Sequence, residues 1–143
     1  MNLPFFVYGT LMPGQRNWHL LQDVFEHYSD ATATGWQLWH LRAGNYPAIT
    51  PGEETIEGVL VWVGEESYRV TLRALDDLEG YSCAAPQSSL YLRQRAEVIT
   101  SASAHETAWI YVWNPVKQAA LEREGAVLSE SRWEPAPPSF EAK

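Results

Sequence analysis

The chain has 143 residues, of which 45% are hydrophobic and 20% are charged, and this composition predicts one globular domain with a substantial core. Its net charge of −8 argues against a surface for nucleic acid or for anionic membranes, because both require clustered lysine and arginine. The single cysteine, Cys83, excludes an internal disulfide framework and a cysteine-based zinc site. Because there is no apolar run near the roughly 20 residues that span a bilayer, and no signal-peptide pattern, we expect a cytoplasmic protein.

The first half of the chain predicts strands and turns around one helix. An apolar run at residues 3–8 is stopped by Gly9 and predicts a short buried strand. Helical spacing over residues 17–24 predicts a helix, with Asn17 as its N-cap. The elements predicted after it are a strand at 31–41, turns at 43–47 and 50–52, and a strand at 56–63.

The second half begins with the clearest helical pattern, at residues 65–78, which has acids in its first turn and Gly80 just beyond its last. After it the sequence predicts a loop at 83–89, a hairpin of strands 90–100 and 106–113 joined through 101–104, and a short helix at 117–124. We expect one domain over residues 1–128 and a loose, proline-containing C-terminal tail over 129–143. This order predicts an α+β fold with a small, mostly antiparallel, barrel-like sheet flanked by helices.

A glycine turn follows the first predicted strand. Consecutive N–H groups in such a turn bind anions or oxyanions without a charged side chain. The spacing from Gly9 to Gly14 is that of a phosphate loop, but Gln15 and Arg16 replace the expected Lys and Ser or Thr, and Pro13 removes a donor. These departures argue against a nucleotide site. The alternatives are an oxyanion-binding turn or a plain connection between two elements.

Three acids, Asp76, Asp77 and Glu79, lie at the predicted end of the second helix, where they oppose the helix dipole. Arg73 is placed to offset Asp76 or Asp77, whereas Glu79 has no such partner along the helix. Neighbouring acids, the dipole and any burial would all raise the pKa of Glu79. A carboxyl group tuned in this way both accepts and returns a proton near neutral pH. The alternative is an ordinary solvated acidic helix end.

Five short motifs occur in an order that resembles the gamma-glutamylcyclotransferase-like family. They are Tyr-Gly-Thr-Leu at 8–11, Tyr-Pro-Ala at 46–48, Ile-Glu-Gly-Val-Leu at 56–60, Leu-Asp-Asp-Leu-Glu-Gly-Tyr at 75–81 and Tyr-Leu-Arg at 91–93. The resemblance covers about residues 3–113. It implies a six-stranded, barrel-like core, and cyclisation of a γ-glutamyl group to 5-oxoproline with release of an amine, without metal or cofactor.

The resemblance also implies roles for particular residues and a small-molecule γ-glutamyl substrate. The family's acidic catalyst falls on Glu79. Its substrate-holding loop falls on Tyr8, Gly9, Thr10 and Leu11. Tyr91 is expected either to add a phenolic hydrogen bond to the substrate or to serve as a core aromatic residue. The histidines are scattered without the spacing of a ligand pair, so we expect no metal.

Other functions stay open on the sequence alone. The same pocket would also suit a non-catalytic binding module for a small amino-acid-like ligand, or an amide hydrolase in which water attacks. A structural protein that uses an aromatic sheet face as its contact surface is a third alternative. The leaving group and the oligomeric state are not determined by any motif.

Overall fold

The computed structural model describes residues 2–137. In chain order the elements are β1 (Phe5–Val7), α1 (His19–Gln22), β2 (Phe25–Leu41), β3 (Tyr46–Val63), α2 (Glu65–Glu79), β4 (Tyr91–Thr100), β5 (His105–Trp113), α3 (Gln118–Glu124) and β6 (Gly125–Val127). Two short 3-10 turns lie at Pro86–Ser88 and Pro115–Lys117. Among the described residues, no helix has the length and apolar character needed to cross a membrane.

The strands form one sheet that closes on itself. Their order is β3-β1-β5-β4-β2-β6, and an additional β2–β3 pairing joins the first five strands into a ring. The β1–β5 pair is parallel and the other pairs are antiparallel, which confirms the predicted α+β fold with a mostly antiparallel, barrel-like sheet. The ring itself contains five strands rather than the six that the family resemblance implied, because β6 pairs only with β2 on its outer side.

The predicted turn at residues 50–52 is wrong, because these residues lie inside β3. Pro51 pairs with Trp36 at a point where the β2–β3 register shifts, and Trp36 also pairs with Glu54. A bulge of this kind accommodates a proline, which cannot donate a hydrogen bond to a regular ladder. The true turn lies at residues 42–45, so only the first part of the turn predicted at 43–47 is correct.

The predicted N-cap at Asn17 is also wrong. Helix α1 begins at His19, and the residue at its N-cap position, Trp18, makes no capping hydrogen bond through its side chain. The Asn17 side chain instead donates to the Thr10 hydroxyl at 2.9 Å, and its main-chain N–H donates to the Thr10 carbonyl at 2.8 Å. Asn17 therefore stabilises the glycine turn rather than the helix.

Helix α2 confirms the prediction made for residues 65–78 and ends one residue later. Glu65 and Glu66 occupy its first turn, and Gly80 follows it in a left-handed conformation with φ of 69°. The N–H of Tyr81 then donates to the Asp76 carbonyl at 2.9 Å, which satisfies one of the free carbonyls at the helix end. Leu75 is fully buried beneath the helix, so the last turn is held firmly against the sheet.

The described part of the expected tail is packed rather than loose. The Trp133 side chain is only 1% exposed, and its indole N–H donates to Nδ1 of His40 on β2 at 3.0 Å. Burial of a large indole with its N–H satisfied stabilises this contact and explains the difference from the expectation. Residues 138–143 of the expected tail lie outside the described residues.

Candidate active site

A cavity of about 360 Å³ opens where the end of β1, the start of β3 and the last turn of α2 meet β4 and β5. All six residues that the sequence singled out line it: Tyr8, Gly9, Thr10, Leu11, Glu79 and Tyr91. It is also lined by residues that the sequence did not single out as site residues, among them Arg16, Asn17, Tyr46, Pro47 and Tyr111. Side chains more than 100 positions apart in sequence therefore share one concave surface.

The glycine turn is fixed by contacts on both sides. A Cβ atom placed on Gly9 would lie 2.3 Å from Cγ of Pro47, so only glycine allows β3 to approach this closely. The Met12 N–H donates to the Gly9 carbonyl at 3.0 Å, and Asn17 binds Thr10 as described above. Within residues 2–137, the N–H groups of Gly9, Thr10 and Leu11 donate to no protein acceptor. These buried donors therefore remain available to an oxygen atom of a ligand.

Glu79 ends helix α2 and lines the same cavity as the glycine turn. One side of the residue faces the cavity, so it is half-buried, and protein atoms surround the rest of its carboxyl group. Burial, followed by the negative charge of Asp76, raises the pKa of Glu79 to about 8. Both causes are expected from the sequence, and burial is the larger of the two. At this value the carboxyl group exchanges a proton readily near neutral pH.

Asp76 pairs with Arg93 on β4 rather than with Arg73, and within residues 2–137 Arg73 forms no ion pair with Asp77 either, so the expected role of Arg73 is wrong for both acids. The Arg93 guanidinium donates to the two carboxylate oxygens of Asp76 at 2.8 and 3.3 Å. The Tyr111 hydroxyl donates to Oδ1 of the same carboxylate at 2.7 Å. Arg73 is exposed, whereas Arg93 lies over the Trp109 ring, 4.4 Å from its centroid. The partner of Asp76 is therefore the half-buried Arg93, which is fixed by its hydrogen bonds and by the Trp109 ring, and not the exposed Arg73 on the same helix.

Two tyrosines tie the cavity wall to the strands behind it. The Tyr8 hydroxyl donates to the main-chain carbonyl of Tyr111 at 2.6 Å, and the Tyr91 hydroxyl donates to the Pro47 carbonyl at 2.6 Å. Burial raises the pKa of both phenols well above the usual value, so they stay protonated. Each phenolic oxygen still has a lone pair that can accept a hydrogen bond from a ligand. Tyr91 is therefore a buried aromatic residue and a cavity-wall residue at once.

The sequence missed Tyr111 as a cavity residue, and it missed the hydrogen bond between Tyr111 and Asp76, for a physical reason. The alternation of Trp109, Tyr111 and Trp113 correctly indicates a packed strand, but it does not distinguish the one side chain that reaches the cavity. Asp76 and Tyr111 are 35 positions apart, so no local spacing connects them. Within residues 2–137 there is also no group of three or more side chains suited to hold a metal ion.

Comparisons with known proteins agree with this architecture. A family model described as gamma-glutamyl cyclotransferase, AIG2-like, matches residues 5–135. No match is found among curated proteins. An AIG2-like protein from Mus musculus has a similar structure, with a TM-score of 0.66 and 21% identity, over 96% of this chain and 97% of the mouse chain.

Two further solved structures share the fold. YkqA from Bacillus subtilis has a TM-score of 0.63 and 24% identity over 93% of this chain, which spans only 40% of the YkqA chain. A protein from Arabidopsis thaliana has a TM-score of 0.56 and 23% identity, over 86% of this chain and 85% of its own. At these identities the structures show a common fold, and the family model covers nearly the whole chain. The chain therefore belongs to the gamma-glutamyl cyclotransferase, AIG2-like family.

Proposed function

We propose that this protein converts a γ-glutamyl amide or peptide to 5-oxoproline and releases an amine, acting on a small-molecule substrate in the cytoplasm. The observation that carries the proposal is Glu79, whose pKa of about 8 and position in the cavity suit it to proton transfer. The same cavity is lined by the glycine turn, whose N–H groups have no partner within residues 2–137. Family membership supports cyclotransferase chemistry. The single cysteine fits a reducing compartment.

The reaction begins with the α-amine of the γ-glutamyl unit, whose ammonium form has a pKa of about 8. Ionised Glu79 accepts a proton from this nitrogen, which then attacks the substrate's own γ-carbonyl carbon. A carbon–nitrogen bond to the α-nitrogen forms, and the bond to the departing nitrogen breaks. Glu79 returns this proton to the leaving nitrogen, which departs as a neutral amine. The ring nitrogen then gives its second proton to Glu79, and this proton passes to the released amine. The products are therefore 5-oxoproline and an ammonium ion, without consumption of water. Because the attack is intramolecular, its entropic cost is low once the substrate is held in a folded conformation.

The remaining cavity residues hold the substrate in this geometry. The N–H groups of Gly9, Thr10 and Leu11 bind the α-carboxylate or the oxyanion that develops on the γ-carbonyl. The phenolic oxygens of Tyr8 and Tyr91 are placed to accept from the α-nitrogen, since their protons are already donated to main-chain carbonyls. In this scheme Glu79 is the only group that transfers a proton, so its loss should stop the reaction while leaving binding largely intact.

The test is formation of 5-oxoproline from a panel of γ-glutamyl peptides and amines, measured by mass spectrometry. We expect Glu79→Gln to lower kcat by at least about 100-fold, because the amide cannot carry a proton between the two nitrogens. Asp77→Asn is the matched control: it makes the same carboxylate-to-amide change two residues earlier, on an exposed side chain outside the cavity. It should retain full activity.

Product identity separates the proposal from its alternatives. Free glutamate in place of 5-oxoproline would indicate a hydrolase in which water attacks the γ-carbonyl. Binding of γ-glutamyl compounds without turnover would indicate a non-catalytic binding module. Full activity in the Glu79→Gln variant would contradict the mechanism even if 5-oxoproline is formed.

A further inference from the structure

Two charged side chains line the cavity among the described residues, Glu79 and Arg16. Glu79 is half-buried at the end of α2, whereas Arg16 is exposed and therefore lies at the mouth. The chain has a net charge of −8, and Arg16 is the one cation among the described residues that line the cavity. An anionic group on a ligand would meet Arg16 as it enters or leaves.

The Arg16 guanidinium is held in place by the turn between β2 and β3. Its two terminal nitrogens donate to the main-chain carbonyls of Gly44 and Asn45, each at 2.7 Å. Asn45 is itself held, because the N–H of Ala136 donates to its side-chain oxygen at 2.8 Å. A guanidinium fixed before binding loses less conformational entropy when it takes a ligand, which favours recognition over a freely rotating arginine.

Arg16 forms no ion pair with the described residues of the protein. Its two partners are neutral carbonyls, and no carboxylate of residues 2–137 lies within the 4.0 Å that defines an ion pair. Two of its five N–H groups are occupied, so three remain as donors in a planar arrangement that suits a carboxylate. Its position and free donors therefore point to an anionic partner outside the protein.

We infer that Arg16 binds a carboxylate on the leaving group, so that the preferred substrates are γ-glutamyl amino acids or peptides rather than γ-glutamyl derivatives of uncharged amines. This rests on the proposed function. The α-amine must reach Glu79, which keeps the γ-glutamyl α-carboxylate at the inner end of the cavity, near the N–H groups of the glycine turn. The leaving amine must depart through the mouth, where Arg16 lies. The α-carboxylate of the substrate therefore binds the N–H groups of the glycine turn, and the carboxylate of the leaving group binds Arg16.

The test compares γ-glutamyl-alanine with γ-glutamyl-alaninamide, which differ only in a leaving-group carboxylate or a neutral amide. For the wild-type protein we expect kcat/KM for the acid to be about tenfold higher, as a charge-assisted hydrogen bond at an accessible site would give. Arg16→Gln should remove this preference and leave turnover of the amide within about twofold of wild type. Arg73→Gln is the control, because it removes the same charge from an exposed arginine outside the cavity.

A second measurement keeps the inference testable if Arg16→Gln folds poorly. The wild-type preference should shrink as salt is raised from about 0.05 to 0.5 M, since ions screen an accessible charge pair. Arg16→Lys should keep part of the preference, because it retains the charge without the planar donors. A wild-type protein that uses both substrates equally well would overturn the inference. So would an equal loss of both substrates in a folded Arg16→Gln variant, which would place the γ-glutamyl unit itself on Arg16.

Failure of the proposed cyclotransferase function can be distinguished from failure of the inference about Arg16. If neither compound yields 5-oxoproline with wild type, the cyclotransferase proposal fails, and calorimetric binding still decides the role of Arg16. The affinities of the acid and the amide are then compared in the Glu79→Gln protein with and without Arg16→Gln. A preference for the acid that disappears with Arg16→Gln supports the inference, and equal affinities for the two compounds in the Glu79→Gln protein overturn it.

Discussion

The raised pKa of Glu79 has two causes, burial and the charge of a neighbouring carboxylate. The surrounding protein atoms make the charged form costly, and Asp76 adds a negative charge, so that the pKa rises to about 8. Asp76 stays in place because Arg93 and Tyr111 both donate to it. The same carboxylate therefore supports the structure through Arg93 and adjusts the proton affinity of Glu79.

We predict that Asp76→Asn lowers the pKa of Glu79. The amide removes the negative charge, while its oxygen can still accept from Arg93 and Tyr111. The carboxyl carbon resonance of Glu79, assigned by its loss in Glu79→Gln, should then titrate at lower pH in Asp76→Asn than in wild type by nuclear magnetic resonance. Asp77→Asn provides the comparison for a general change in charge. An unaltered titration in Asp76→Asn would show that burial alone sets the value.

Two strands, β3 and β4, and the glycine turn meet at Pro47 on β3. Its ring leaves room only for a glycine at position 9, and its carbonyl accepts the hydrogen bond from Tyr91 on β4. The glycine turn is thus held against β3 by steric fit, and against the segment that precedes α1 by the hydrogen bonds from Asn17 to Thr10. The position of the donor groups in the cavity depends on these contacts between elements.

Gly9→Ala should destabilise the protein by about 1–3 kcal/mol and weaken substrate binding, because the added methyl group would overlap the Pro47 ring and displace the turn. Pro47→Ala in the same chain should recover part of the loss by creating space. Urea denaturation of the two single variants and the double variant measures this coupling. Strictly additive free energies of unfolding would argue against the steric explanation.

The candidate site affects the stability of the whole molecule. In the unfolded chain Glu79 has a pKa near 4.5, and in the folded protein it is about 8. Between these values the unfolded state loses the proton and the folded state keeps it, so rising pH favours unfolding. The stabilising contribution is fully present below about pH 4.5, decreases up to about pH 8, and then stays constant.

Glu79→Gln should therefore be more stable than wild type at high pH. We expect the two free energies of unfolding to differ by about 2–4 kcal/mol at pH 8.5 and to become equal near pH 4. This difference is smaller than the full pKa shift would give, because one side of Glu79 faces the cavity and its charge is partly solvated. Urea denaturation across this pH range measures it, with Asp77→Asn as the control. A difference independent of pH would contradict a raised pKa in the folded protein.

The sequence predicted those features that depend on neighbouring residues. Helix α2, its acidic first turn and its end at Gly80 were predicted nearly to the residue, since periodicity and glycine act within one or two turns. The hairpin of β4 and β5 was predicted for the same reason. The predicted turn at 50–52 failed because Pro51 and Gly52 are turn-formers in isolation, whereas a bulge opposite Trp36 keeps them in β3.

The order of motifs determined the fold class, the family and the set of six residues that turn out to share the cavity, because each of these depends on patterns along the chain. Tertiary structure alone decided that Asp76 pairs with Arg93 rather than Arg73, that Tyr111 reaches the cavity, and that Asn17 binds Thr10 instead of capping a helix. It also placed the Tyr8 hydroxyl on a carbonyl 103 positions away. The physical reason is that hydrogen bonds and burial depend on distance in space, which closure of the five-stranded ring sets and which local spacing does not encode.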